Sequence, residues 1–118
     1  MEDLVPILNL LFDIKETHDI PLTYFEIVYL ASLIYYRDQK VDILIAEGGI
    51  GAKLDAVSLS PNLLSIITTI SLDHTDTLGD SHFSVLYNKA YVIKSKNPVV
   101  IGPKVLPLSP LLDRALKF

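Results

Sequence analysis

The amino-acid sequence predicts an α/β protein with three layers, in which a largely parallel sheet is flanked by helices. Short apolar runs rich in branched residues alternate with helical patterns along the chain, an order typical of parallel sheets. These runs contain few polar residues, which indicates strands covered on both faces. Because crossovers between parallel strands are right-handed, all strand C-termini should lie at one edge of the sheet.

Composition narrows the classes of function. The 118 residues carry a net charge of −4 and are half hydrophobic, which fits one folded domain over residues 1–118 and excludes a simple basic nucleic-acid surface. The absence of cysteine excludes disulfides, thiolate catalysis and cysteine-based zinc sites. The most hydrophobic uncharged stretch, 56–72, contains proline, asparagine and six hydroxyl side chains, so we expect no membrane partner. With an acidic start unlike a secretory signal, a cytoplasmic location is expected, with an organelle matrix as the alternative.

The first two elements are helices. Apolar residues at helical spacing predict a helix over 4–15, and the segment 18–21 ends it, because the residue before a proline avoids the α region. Thr23 and Glu26 form a capping-box pattern that starts the next helix. No charge occurs over 27–36, so this second helix should be buried nearly all round.

Three strands follow from apolar, branched runs. Residues 41–46 predict the first strand, 64–70 the second and 98–102 the third. We expect the first two, over 43–46 and 64–70, to be parallel neighbours.

Two further helices complete the pattern. Asp80 or Ser81 can cap a helix that ends near Ala90. Residues 104–107 are interpreted as a connector before a C-terminal helix. The cap, first residue and late basic residues of that helix are predicted to be Ser109, Pro110, Arg114 and Lys117.

Polar residues collect after the first two predicted strands. Glu47 follows the first strand and precedes a glycine-rich turn that contains Gly49 and Gly51, while Asp73 and His74 follow the second. Ligands of open parallel sheets bind beyond the strand C-termini. A carboxylate, an imidazole and a glycine turn could hold a divalent metal and a phosphate there. Oxygen-rich ligation with one nitrogen suits magnesium or manganese better than zinc.

Each of these residues also has a structural interpretation. Glu47 could be a solvated acid, although its place beside the glycine turn favours function. His74 is equally well explained as a helix or turn cap oriented by Asp73. The other polar and aromatic residues are assigned structural roles first: turns or caps for Asp55, Asp76, Asp80 and Glu26, solvated surface for His18, His82, Lys53 and Lys89, and core or interface for Tyr24, Tyr29, Tyr35 and Tyr36.

Four blocks occur in order along the chain: LTYFE at 22–26, EGGIGAKLDA at 47–56, TTISLDHTDTLG at 68–79 and NKA at 88–90. They resemble the patterns LT-x-FE, E-V-G-L-G-G-R-L-D-A-T-N, T-S-I-x-L-D-H-x-x-x-L-G and E-K-A-G-I of the folylpolyglutamate synthase and dihydrofolate synthase family, the folate branch of the Mur ligase superfamily. The resemblance covers about residues 22–102 and implies part of a Mur-ligase-like central, ATP-binding domain.

The resemblance implies an ATP-dependent ligase that activates a folate or dihydropteroate carboxylate for attack by L-glutamate. Carried over by position, Glu47 would bind magnesium near the γ-phosphate and His74 a second magnesium ion. Lys89 matches the lysine that is carbamoylated in the superfamily and would supply a carboxylate-like group. Asp73 and Asp55 would shape the surrounding loops, and the glycines at 49 and 51 would lie toward the nucleotide.

The sequence also departs from the family pattern. The Walker-type T-G-T-N-G-K-G-S loop has no counterpart, since no Gly-Lys pair precedes a Ser or Thr in the 118 residues, and nothing matches the C-terminal Rossmann-like domain. Replacements within the blocks are Gly48 for valine, Ala52 for glycine, Lys53 for arginine, Val57-Ser58 for Thr-Asn, Asn88 for glutamate and Tyr91 for glycine. The alternatives are a ligase or its fragment, a non-catalytic remnant or binding module, and a subunit completed by another chain's loop. We expect the chain alone to be inactive and to self-associate through exposed apolar surface.

Overall fold

The computed structural model describes residues 3–94 and 97–115, with the side chains of residues 114 and 115 left out. The chain divides into two compact units, Met1–Ala46 and Glu47–Phe118. Within residues 3–94 and 97–115, no helix is long and apolar enough to cross a membrane.

The first unit contains a pair of helices, α1 (Leu4–Thr17) and α2 (Tyr24–Asp38). The predicted capping box starts α2: the Glu26 carboxylate accepts the Thr23 backbone N–H at 2.7 Å, and the Thr23 hydroxyl accepts the Glu26 N–H at 3.3 Å. Both predicted helices are confirmed, and α1 extends two residues beyond its predicted end.

The core of the first unit lies between the two helices. Ile7 and Leu11 of α1 pack with Ile27 and Ala31 of α2. The prediction that α2 is buried nearly all round is wrong, since Val28 is 44% exposed and Tyr24 84% exposed. The described packing partner of α2 is α1, and one helix covers only one face of another.

The prediction of a strand over 41–46 is also wrong. The structure assigns no strand there, and Ile43 and Ile45 are more than four-fifths exposed at 82% and 89%. The physical reason is pairing: a strand is stable only when a neighbour accepts its backbone hydrogen bonds. The sheet in the described part of the chain pairs two other segments, so this branched, apolar run has the composition of a strand without its partner.

The second unit contains a parallel pair of strands, β1 (Ser65–Ile67) and β2 (Val99–Ile101), with Ile66 opposite Val100. A parallel sheet flanked by helices confirms the α/β class. Both strands are shorter than the predicted 64–70 and 98–102. The neighbour of β1 is β2 rather than 43–46, which corrects the predicted strand order.

The described part of the second unit contains the α-helices α3 (Thr75–Leu78), α4 (His82–Ala90) and α5 (Ser109–Ala115). The predicted cap of α4 is Ser81, whose hydroxyl accepts the Ser84 N–H at 3.1 Å. The core joins β1 to these helices through Ile67, Leu78, Val85, Leu86, Val105 and Leu112.

The C-terminal helix begins differently from the prediction. The 3₁₀ turn Leu106–Leu108 runs directly into α5, so Ser109 is the first helical residue and not its cap. That turn also occupies part of the predicted connector 104–107. The predicted late position of Lys117 and the side chain of Arg114 lie outside the described residues.

Candidate functional site

The glycine loop, residues 47–55, begins with the exposed Glu47 and is closed by a carboxylate. Asp55 Oδ2 accepts the backbone N–H groups of Gly49 at 2.8 Å and Ile50 at 3.3 Å. Its other oxygen accepts the Val57 N–H at 2.9 Å, which caps the 3₁₀ turn Ala56–Leu59. Asp55 therefore has the cap role predicted for it and also holds the first half of the loop.

The second half of the glycine loop is held by Asn88 on α4. The amide oxygen of Asn88 accepts the backbone N–H of Ala52 at 3.0 Å and that of Lys53 at 3.2 Å. The preceding Gly51 has φ +67°, and a Cβ there would lie 2.3 Å from that oxygen and 2.7 Å from Leu78 Cδ2. Only glycine fits this close approach in a left-handed conformation.

The segment that follows β1 carries Asp73 and His74. Asp73 Oδ1 accepts the His74 backbone N–H at 2.8 Å, while Asp73 Oδ2 lies 4.0 Å from His74 Nε2. His74 itself has φ 49°, an uncommon left-handed conformation. It occupies the N-cap position of α3 but makes no side-chain cap hydrogen bond. The imidazole is half exposed, so the cap interpretation of this side chain is not supported.

Lys89 lies on α4 directly after Asn88. Its Nζ is 3.5 Å from the backbone oxygen of Thr69, in the segment after β1. One helix therefore contacts both predicted site segments: Asn88 holds the loop that begins at Glu47, and Lys89 reaches the strand end that leads to His74.

The donor set suits a hard divalent ion. Glu47 would offer a carboxylate and His74 an imidazole, and carboxylate oxygen is the ligand that magnesium and manganese prefer. Within the described residues, no three His, Asp or Glu side chains form a group that could hold a metal. Glu47, Asp73 and His74 therefore do not form such a group, and the metal role of Glu47 and His74 stays a prediction.

The sequence did not reveal an aromatic cluster beside the glycine loop. Tyr87 of α4 and Tyr91, the C-cap residue of that helix, lie four residues apart with their hydroxyl oxygens 3.0 Å apart. Lys53 Nζ lies 5.6 Å from the Tyr87 ring centroid and 5.5 Å from that of Tyr91. The hydrogen bond to Tyr91 is the main reason that the pKa of Tyr87 is raised, with burial adding to it and Lys53 opposing it. The four-residue spacing was the available signal, since it puts both rings on one helix face.

Sequence comparison finds curated relatives that include dihydrofolate synthase/folylpolyglutamate synthases, although no protein-family model matches the chain. A dihydrofolate synthase/folylpolyglutamate synthase of Haemophilus influenzae is 39% identical over 105 residues, covering 89% of this chain and 24% of the relative. The protein of the same name from Escherichia coli K12 is 37% identical over 89 residues, covering 75% of this chain and 21% of the relative.

Solved structures give the same result. The apo form of L. casei FPGS superposes with a TM-score of 0.79 at 28% identity, covering 92% of this chain and 26% of that one. E. coli FolC in complex with DHPP and ADP superposes with a TM-score of 0.73 at 33% identity, covering 81% of this chain and 24% of that one. A bifunctional folylpolyglutamate synthase/dihydrofolate synthase from Yersinia pestis, complexed with AMPPNP and Mn, superposes with a TM-score of 0.66 at 35% identity. The match covers 80% of this chain and 24% of that one. The chain thus spans about a quarter of the length of these proteins.

Proposed function

Because the chain belongs to the folylpolyglutamate synthase/dihydrofolate synthase family, we propose that it forms the metal-binding part of an ATP-dependent ligase that joins L-glutamate to a folate or dihydropteroate. The observation that carries this proposal is the double contact of α4, which holds the Glu47 loop through Asn88 and reaches the segment before His74 through Lys89. Both contacts lie in the unit Glu47–Phe118.

The proposed reaction has two steps. A phosphoryl group passes from ATP to the pterin-linked carboxylate, which gives an acyl phosphate and ADP. The glutamate amine then attacks the acyl carbon, phosphate leaves, and the amine loses a proton as the amide forms. Relatives were solved with AMPPNP and Mn and with DHPP and ADP, which supports the use of a nucleotide and a second ligand.

In this proposal Glu47 and His74 bind magnesium ions, and Lys89 adds a third group. Its Nζ attacks CO₂ and loses a proton, which converts the lysine into a carbamate with two oxygen ligands. When bound, magnesium neutralises phosphoryl charge and orients the attacking group. Asp73 positions His74 by accepting its backbone N–H. Gly49 and Gly51 belong to the loop that begins at Glu47 and would lie toward the nucleotide.

A ligation assay tests the proposal. The purified 118-residue chain is given ATP, magnesium, glutamate and either dihydropteroate or a tetrahydrofolate, and ADP and a new amide are measured. We expect no turnover, because these residues contain no Gly-Lys-Ser/Thr loop to hold the phosphates, and losing such positioning costs several orders of magnitude in rate. Turnover that disappears in Glu47→Ala would overturn the assignment of a partial site and establish a minimal ligase.

A second candidate function is a non-catalytic binding module for the pterin ligand. Departures from the family pattern around the proposed metal positions, at Ala52, Asn88 and Tyr91, favour it. It differs from the first in its metal dependence: a module would bind a folate equally well with and without magnesium and in Glu47→Ala. A folate fluorescence titration with both proteins separates the two functions.

A further inference from the structure

The glycine loop is held by a side chain whose sequence position gave no hint of that role. We propose that Asn88 is a positioning residue. Its two hydrogen bonds to the glycine loop, called the latch below, hold the loop against α4 and so fix Glu47 relative to Lys89. The amide oxygen of Asn88 accepts two consecutive backbone N–H groups, those of Ala52 and Lys53, across 36 and 35 residues of sequence.

Burial makes this contact difficult to replace with solvent. Ala52 is only 4% exposed, and a buried backbone N–H that loses its acceptor is costly. The left-handed Gly51 brings the loop so close to the Asn88 oxygen that even a methyl group would not fit between them. Asn88 and Gly51 therefore act together, because the close approach at Gly51 brings the N–H groups of residues 52 and 53 to the one Asn88 oxygen.

The side chain of Lys53 adds a second contact between loop and helix. Its ammonium lies over the rings of both Tyr87 and Tyr91, within the distance at which a cation is attracted to an aromatic face. The hydroxyl pair of the two tyrosines keeps the rings together. The sequence departs from the family pattern at Lys53, Asn88 and Tyr91. These departures are in contact, since Lys53 bonds to Asn88 through its backbone and lies over the Tyr91 ring with its side chain.

The latch links two residues of the proposed site. Asp55 holds residues 49 and 50, and Asn88 holds residues 52 and 53, so the loop has little freedom from Gly49, two residues after Glu47, to Lys53. Lys89 follows Asn88 in the same helix. The consequence for metal binding rests on the proposed function, because only that function makes Glu47 a ligand.

Amide hydrogen exchange tests the latch directly. In Asn88→Leu we expect the N–H groups of Ala52 and Lys53 to exchange roughly tenfold faster or more, the effect of losing hydrogen bonds of ordinary strength. Asn88→Asp keeps an acceptor oxygen and should restore near-native rates; Asn88→Ala replaces the leucine variant if that protein fails to fold. The matched control is Asn62→Ala, which removes hydrogen bonds to Ser65 and Val92 elsewhere in the same unit. It should lower the melting temperature without selectively exposing residues 52 and 53.

Mn²⁺ titration of the same variants tests the positioning role. We expect severalfold weaker binding in Asn88→Leu, recovery in Asn88→Asp and no change in Asn62→Ala. Unchanged exchange at residues 52 and 53 in Asn88→Leu would overturn the latch, and released amides with unchanged Mn²⁺ affinity would overturn the positioning of Glu47. If the native chain binds no Mn²⁺, or Glu47→Ala binds as well as the native chain, the proposed function fails while exchange still decides the latch.

Discussion

Short polar side chains shape both segments of the candidate site by accepting backbone N–H groups. Asp55 and Asn88 do so in the glycine loop, and Asp73 does so at His74. The roles of Asp55 and Asp73 could be predicted because their partners are close in sequence. The role of Asn88 could not, because its partners lie more than thirty residues away and only the folded unit brings them together.

The clearest prediction for a single residue concerns Gly51. We expect Gly51→Ala to destabilise the second unit by about 2–4 kcal/mol, because the new Cβ adds left-handed strain to overpacking against Asn88 and Leu78. Denaturant unfolding followed by circular dichroism measures the change. The matched control is Gly48→Ala, whose φ is ordinary and whose nearest contact is a backbone oxygen at 3.0 Å. Equal destabilisation of the two variants would show that the loop geometry around Gly51 is not as described.

The elements differ in how much their own sequence determines them. The capping box of α2 and the serine cap of α4 depend on residues three apart, and both were predictable. The run 41–46 has the composition of a strand, but composition cannot provide the neighbour that a strand requires. The pairing of β1 with β2 depends on which distant segment is available, so sequence pattern predicted the parallel sheet but not its order.

The capping box of α2 makes one element sensitive to pH. Hydrogen bonds from the Thr23 backbone N–H, and then from its hydroxyl, lower the pKa of Glu26 from its usual 4.5. A carboxylate with a lowered folded pKa stabilises the folded state above its unfolded pKa, and this stabilisation is lost as pH falls through the folded value. We therefore expect native α2 to lose stability below about pH 4.5.

Comparison with Glu26→Gln isolates that effect. The glutamine can still accept the Thr23 N–H but cannot titrate, so the difference in melting temperature between the two proteins should shrink between pH 7 and pH 3. A difference that stays constant over this range would contradict the ionised capping box.

At the scale of the whole molecule, much apolar surface is exposed for a chain of this size. Ile43 and Ile45 of the first unit and Leu63 of the second are almost fully exposed, and Ile66 and Val100 leave one face of the sheet half exposed. Large exposed apolar patches favour association. The chain spans about a quarter of the length of its relatives, and such surfaces are of the kind that further protein covers.

We expect the isolated chain to self-associate at high concentration. Light scattering should give a mass that rises with concentration, and the double variant Ile43→Lys/Ile45→Lys should reduce this rise, because charges oppose edge pairing. Leu59→Lys, at an exposed position in a 3₁₀ turn, serves as the matched control for added charge. A strictly monomeric native chain would contradict the expectation.

The proposed metal site is tested most directly by Mn²⁺ binding to the 118-residue chain, measured by calorimetry or by electron paramagnetic resonance. We expect binding that weakens by at least tenfold in both Glu47→Ala and His74→Ala, because each change removes a ligand. Asp76→Ala, which removes an exposed carboxylate from the first turn of α3, should bind like the native chain. Native-like Mn²⁺ affinity in the Glu47 and His74 variants would contradict the assignment of these residues as the metal-binding part of a folate ligase.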